Sequence, residues 1–196
     1  MKTSKLLTTV SLSFVMLLSL NVNAQEFDKM DNSTMDRAYY PSNAPKRTFE
    51  KTDEAKKLSE PQIRVTYSRP AKKGREVFGK LLKFGKAWRV GANESTEILF
   101  VNDVTFGGKE IKAGRYSVII IPTEKEWTLK LNTELDGWGN YGYDETKDIA
   151  SVSVPVTKSN KEIENLSIVL YKASNDTVNL KIGWDTTIAE FPITLK

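Results

Sequence analysis

Two short stretches concentrate the side chains that recognition chemistry uses. The first, "KAWRVGANESTEI" from Lys86 to Ile98, places Trp88, Arg89, Asn93 and Glu94 around Gly91. Arg89 and Asn93 offer hydrogen-bond donors to a sugar or a carboxylate, and Glu94 or Glu97 offers acceptors. The second, "DGWGNYGYDETKD" from Asp136 to Asp148, interleaves Trp138, Tyr141 and Tyr143 with glycines and flanks them with Asn140 and Asp144. Flat rings beside amide and carboxylate groups suit a carbohydrate, because ring faces stack on the apolar side of a sugar while polar groups bind its hydroxyls. Both stretches also have a purely architectural reading. Turn chemistry accounts for Gly91 and Asn93, with Asn93 bonding the turn backbone and Arg89 pairing with a carboxylate under Trp88. The second stretch then reads as a surface loop whose aromatic rings pack back on the domain.

Catalysis has few groups to work with. The chain has no cysteine and no histidine, which removes disulfides, thiol catalysis, Ser-His-Asp triads, lipid attachment through cysteine and the usual zinc and copper ligand sets. No Ser-x-x-K stands in it. Carboxylates remain, and a pair drawn from Glu94, Glu97, Asp136 and Asp144 would meet the minimal demand of glycoside hydrolysis. The acidic groups of the second stretch lack the spacing of a calcium-binding EF-hand loop, so neither a metal nor another cofactor is expected. A third stretch, "SRPAKKGREVFG", gathers Lys72, Lys73 and Arg75 around Gly74. It has no phosphate-binding glycine motif. It reads either as an anion site or as a solvated turn whose charges keep a strand edge from pairing.

The elements that position these residues are strands. Ile63, Val65 and Tyr67 alternate with polar neighbours, as do Trp127, Leu129 and Leu131, then Val152, Val154 and Val156, then Val178, Leu180, Ile182 and Trp184. A period of two marks strands with one buried face. The runs "EILFV" and "YSVIII" are apolar on both faces and are expected to be covered on both sides. Gly107-Gly108 predicts a two-residue hairpin. Ala113-Gly114, Asn160-Lys161, Asn175-Asp176 and Asp185-Thr186 are read as further reversals. "EVFGKLLKFG" has room for a turn or two of helix. The pattern predicts an all-β, antiparallel β-sandwich, jelly-roll-like or Ig-like, of nine or ten strands over residues 61–196.

Ahead of it, residues 25–60 are polar and aperiodic. They read as a mostly unstructured, solvated tail with one short helix near Asp53 to Leu58; the alternative is a tail that wraps onto the domain or a partner through Tyr39, Tyr40 and Phe49. Residues 1–24 read as a signal peptide: Lys2 and Lys5 precede an apolar run from Leu6 to Val22, and Ala24 suits cleavage. No span of the membrane is expected after that cleavage. Of 29 basic residues, Lys2 and Lys5 fall in the leader, which leaves 27 against 25 acidic ones. So even a balance is no nucleic-acid footprint.

Taken in order, "VTYSRPAKKGREVFG", "KAWRVGANESTEI", "GGKEIKAGRYSVIIIP", "EWTLKLN" and "WGNYGYDETKD" resemble the bacterial domain of unknown function family 2911, with "WRVGANE" looking like its hallmark box. The resemblance runs from about Pro61 to the C-terminus. It implies an exported, envelope-associated protein of Bacteroidetes-type bacteria, and no particular activity. The function expected from residues and resemblance together is a binding or structural module of the cell envelope, periplasmic or at the cell surface and not a lipoprotein. Its partner would be a glycan or an envelope protein. A carboxylate-dependent polysaccharide hydrolase and a non-catalytic subunit of an envelope assembly are the alternatives.

Overall fold

A computed structural model describes residues 29–196. The expected signal peptide and the first residues of the expected tail lie outside the described residues. The strands, in chain order, are β1 (Met35–Tyr40), β2 (Ile63–Ser68), β3 (Glu97–Phe100), β4 (Val104–Phe106), β5 (Lys109–Ile111), β6 (Gly114–Pro122), β7 (Glu126–Asn132), β8 (Asp148–Pro155), β9 (Thr157–Lys172) and β10 (Thr177–Leu195). They form a six-stranded sheet in the order β1-β2-β3-β6-β7-β8 and a four-stranded sheet in the order β5-β4-β10-β9. The strand pairings are antiparallel, and the protein is an antiparallel β-sandwich. The chain crosses between the sheets after β3, β5 and β8.

Alternation decides which side chains fill the space between the sheets. Ile63, Val65 and Tyr67 of β2 and Trp127, Leu129 and Leu131 of β7, all from the six-stranded sheet, share one buried core with Val178, Leu180, Ile182 and Trp184 of β10 from the four-stranded sheet. Each aromatic or branched side chain taken out of water contributes about 1.5–3 kcal/mol against chain entropy, and no disulfide assists. Trp88 packs edge-on against Phe78 and Trp127, with centroids 5.9 Å apart in each case, and stacks on Trp184 at 6.1 Å. The indole N–H groups of Trp88 and Trp127 are buried without an oxygen or nitrogen acceptor.

β6 is the central strand that its sequence predicts: Val118, Ile119 and Ile120 are all buried. β3 differs. Ile98 and Phe100 are buried while Leu99 is half-buried and Val101 exposed, so "EILFV" has one covered face.

Several turns follow the sequence. Gly107 and Gly108 take φ of 60° and 75° in the β4–β5 hairpin, which a side chain would oppose. Asn175-Asp176 lies in the β9–β10 reversal, and Ala113-Gly114 leads into β6. Asn160-Lys161 and Asp185-Thr186 are not reversals. They sit opposite one another as irregularities within the long β9–β10 ladder, where the register shifts between Gly183 and Asp185 and again between Asp185 and Thr187. Asp185 has a φ of 55°. Bulges and turns draw on the same residues because both need such backbone angles.

The helix allowed for in "EVFGKLLKFG" is replaced by a tight turn, with the Leu82 N–H donating to the Val77 carbonyl at 2.8 Å and the Gly79 N–H to the Leu82 carbonyl at 2.7 Å. Gly79 and Gly85 both have positive φ, which a right-handed helix does not accommodate.

The largest departure is in the segment expected as a tail. β1 pairs with β2 along its whole length, from Met35 opposite Ser68 to Tyr40 opposite Ile63. A 3-10 turn follows at Ala44–Phe49, and then α1 (Asp53–Leu58), the short helix that the sequence predicts, capped by the Thr52 side chain on the Ala55 N–H at 3.1 Å. Tyr39 and Tyr40 do reach the domain, as members of β1. Phe49 stays 81% exposed.

Candidate functional site

The outer face of the six-stranded sheet carries one polar row across all six strands. The register puts Arg37 beside Thr66, Thr66 beside Glu97, Glu97 beside Ser117, Ser117 beside Asn132 and Asn132 beside Asp148. The β7–β8 connection folds over the Ser117 and Asn132 end of that row, and this covers the outward-facing Ile119. Ser117 donates its hydroxyl to the Glu134 carbonyl. The Asn132 amide donates to the Asp144 carbonyl at 2.9 Å and to Asp148 Oδ1 at 2.8 Å. The gap left under the connection, lined by Ser117, Ile119, Asn132 and Tyr143, is about 30 Å³, room for a water molecule or two and for no sugar.

The two aromatic stretches meet on this face. The Ser95 N–H donates to the Gly137 carbonyl at 2.9 Å, the Gly139 N–H to the Asn93 carbonyl at 2.7 Å, and the Asn140 side chain to the Ala87 carbonyl at 3.0 Å. Ser95 adds its hydroxyl to the Gly139 carbonyl. Glu94 and Trp138 stand directly opposite in an antiparallel bridge, so their side chains leave the backbone on the same side. Trp138 is 62% exposed and Tyr141 90%.

Beside Glu94 the surface sinks into two shallow depressions of about 250 and 490 Å³ that share Met35 and Thr66. The first is also lined by Glu94, Glu97, Asp136 and Gly137, the second by Asp36, Arg37 and Tyr39. Arg115 holds the acidic wall together, pairing with Asp136 at 2.7 Å and Glu97 at 3.3 Å, while the Asp136 N–H donates to Glu97 at 2.9 Å.

The local backbone explains how "WRVGANE" makes this corner. Trp88 pairs with Ile120 of β6 through two hydrogen bonds of 2.8 and 2.9 Å. The chain leaves the sheet at Val90, whose φ is 59°, an unusual value for a β-branched residue. It returns at Thr96, where the hydroxyl donates to the Val90 carbonyl at 2.8 Å and the N–H to the Arg89 carbonyl at 3.1 Å. Positive φ therefore falls on Val90 and Asn93 rather than on Gly91. A Cβ on Gly91 would lie 3.4 Å from the Ser68 carbonyl oxygen and from Thr96 Oγ1, which is ordinary van der Waals contact, so neither φ nor space demands glycine there.

The residues picked out in the sequence thus divide. Trp88 faces inward as part of the core, which corrects its place on a ligand surface. Asn140, Tyr143 and Asp144 are adjacent to the surface, with side chains engaged in holding the connection. Tyr143 donates to Asp148 at 2.8 Å and accepts from Lys130 at 3.2 Å, and Lys130 pairs with Asp148 at 2.8 Å. Burial, then the hydrogen bond to Asp148, pushes the Tyr143 hydroxyl above its ordinary pKa, and Asp148 followed by Tyr143 does the same for Lys130. Asp144 caps the 3-10 turn Glu145–Lys147 through Thr146, which holds its carboxyl below the usual range. Arg89, Asn93, Glu94, Trp138 and Tyr141 remain together at the surface. Among the described residues Arg89 has no carboxylate partner, contrary to the pairing that the architectural reading expects of it. Its Nε is buried without an acceptor, and burial lowers its pKa.

Met35, Thr66 and Arg115 belong to the same surface and escape a reading of motifs. Thr66 and Arg115 are outward positions of strands and so are legible from alternation. Met35 is not, because β1 fully buries only Ala38.

Lys72 and Arg75 of the basic cluster are occupied internally, while Lys73 is exposed. Lys72 pairs with Asp185 at 2.7 Å and Glu162 at 2.9 Å, which raises its pKa, and Arg75 donates to the Lys72 and Ala71 carbonyls, both at 2.7 Å. At the other end of β7 a depression of about 470 Å³ is lined by Phe78, Phe84, Trp127, Thr123 and Asp185. Phe78 and Trp127 there pack on each other at 4.7 Å between centroids and present no open pair of ring faces.

Among the described residues no group of three or more carboxylates is placed to hold a metal ion, and no helix is long and apolar enough to cross a membrane. Fold and surface together define an antiparallel sandwich with an exposed aromatic and acidic corner on one outer face. The chain belongs to the family described as protein of unknown function DUF2911, whose model matches residues 45–193. β1 precedes that span. No curated protein and no solved structure matches the chain.

Proposed function

We propose that this protein is an exported binding module of the bacterial cell envelope that takes a glycan on the outer face of its six-stranded sheet. The observation that carries this reading is the exposure of Trp138 and Tyr141 beside a depression rimmed by Glu94, Glu97 and Asp136. Burying rings of that size is among the larger gains open to a core, and a surface that keeps two of them out of it is suited to a flat apolar partner. Carboxylates and the Thr66 hydroxyl next to the rings supply acceptors for sugar hydroxyls. Export rests on the leader over 1–24, and the envelope setting on the family resemblance.

Hydrolysis draws less support from the same groups. Glu97 and Asp136 are spanned by Arg115, and Asp144 is a turn cap. The experiment is co-sedimentation of the protein with a panel of insoluble bacterial and plant polysaccharides, alongside Trp138→Ala and Tyr141→Ala. Retention on at least one polysaccharide that drops about tenfold or more in either variant supports the reading. Retention equal in all three proteins places the ligand elsewhere, and release of reducing ends during the assay moves the reading to hydrolysis.

A further inference from the structure

Among the described residues Arg89 is the arginine with a buried side-chain nitrogen that finds no acceptor. Arg69 pairs with Asp36 at 3.0 Å and Arg115 with Glu97 and Asp136. Arg89 follows the inward-facing Trp88, so it projects onto the outer face, where the Gly139 to Tyr141 segment passes over it. A Cβ on Gly139 would lie 3.8 Å from Arg89 Cδ and 3.1 Å from the Tyr141 ring, which puts the arginine stem and the tyrosine ring beside the same backbone position. Among the described residues no carboxylate pairs with the guanidinium, Nε is buried without an acceptor, and the residue as a whole is only half-buried. A guanidinium carries five donors in a planar fork that fits a carboxylate in two parallel hydrogen bonds. Leaving Nε desolvated and unpaired is costly, and a partner anion arriving from solution would meet a cation that no carboxylate of the described residues has neutralised.

We propose, resting on the glycan reading above, that Arg89 is the anion-recognition group of this surface and that the glycan it takes carries a carboxylate, as a uronic acid does, held by the guanidinium beside the Tyr141 ring. The acidic wall at Glu94, Glu97 and Asp136 lies toward the Trp138 side of the corner, so the ligand is charged at one end and hydroxyl-rich at the other. A sulfate ester also offers two oxygens to the fork, so the sulfated sugar is a separate arm of the test.

The test compares the binding of a uronic-acid oligosaccharide, its carboxyl-reduced counterpart of the same linkage and a sulfated oligosaccharide to the wild-type protein and to Arg89→Met and Arg89→Lys, by calorimetry. The expected result is a preference of about tenfold for the uronate over its reduced counterpart, absent in Arg89→Met and partly kept in Arg89→Lys. Thermal unfolding of Arg89→Met should be unchanged or raised, since the fold loses no ion pair and methionine keeps the packing of the stem. Equal binding of the uronate and the reduced sugar by wild type overturns the inference and leaves the glycan reading standing. A preference that survives in Arg89→Met overturns the role of Arg89, and a preference for the sulfated sugar overturns the carboxylate. No binding of any sugar overturns both readings.

Discussion

Trp88 and Trp138 look alike in the sequence, each followed by a glycine and then an asparagine within a few residues, and the fold assigns them opposite work. Trp88 is locked among Phe78, Trp127 and Trp184; Trp138 lies on the surface opposite Glu94. The difference was not legible locally, because Trp138 sits in a loop whose path is set by bonds to residues some forty positions away, such as Gly137 to Ser95 and Gly139 to Asn93. The inward course of Trp88 depends likewise on its pairing with Ile120 of a distant strand. It follows that Trp138→Ala changes unfolding free energy by no more than about 0.5 kcal/mol, as exposed substitutions do, whereas Trp127→Ala costs about 3–5 kcal/mol. Urea unfolding of the two variants checks this. A large loss for Trp138→Ala would mean that its ring belongs to the fold.

At the scale of elements, the strands with a full buried face announce themselves. β2, β7 and the first half of β10 alternate cleanly because every second side chain enters the core, and Gly107-Gly108 marks a hairpin because both positions take positive φ. β1 was hidden for the converse reason: an edge strand that fully buries one small residue, Ala38, leaves no periodic trace. Paired irregularities in β9–β10 borrow turn residues and so read as turns. Removing residues 25–60 to test for a partner on a tail would therefore remove a strand and its Arg69–Asp36 ion pair. The β4–β5 hairpin offers a sharper test of packing. A Cβ at Gly107 would come within 2.5 Å of the Ser151 carbonyl oxygen, while one at Gly108 meets nothing within 4 Å. Gly108→Ala should cost only the conformational penalty of about 1–2 kcal/mol. Gly107→Ala should add about 1–3 kcal/mol of overpacking to that, read as a larger fall in the urea midpoint. Equal losses would show that the hairpin does not rest on β8 as described.

For the whole molecule, the missing histidine and cysteine set the pH behaviour. Asp103 and Glu110 are held below their ordinary values by Lys112, Glu190 by Tyr171 and Asp144 by Thr146. Groups depressed in the fold contribute stability above their unfolded pKa of about 4, and that contribution is lost as pH falls through the folded values. Lys72, Lys130 and Lys181 are raised by Asp185, Asp148 and Glu190. Their contribution is complete below the unfolded lysine pKa of about 10.4 and is lost as pH climbs through the folded values. Burial raises Tyr67 as well, which acts in the same alkaline window. With no imidazole or thiol to titrate between, Tm measured by calorimetry should be flat from about pH 5.5 to 9 and fall on both sides. A step near pH 6.5 would contradict this reading.

Of the chain's four tryptophans, Trp88, Trp127 and Trp184 are buried, so a ligand on the outer face has one indole to perturb. Titration of the protein with binding glycans should shift or quench tryptophan emission in a saturable way, and the change should vanish in Trp138→Ala while the folded baseline of the other three is kept. A saturable change that persists in Trp138→Ala, or none across a broad set of neutral and acidic glycans, would contradict the assignment of this corner as the binding surface.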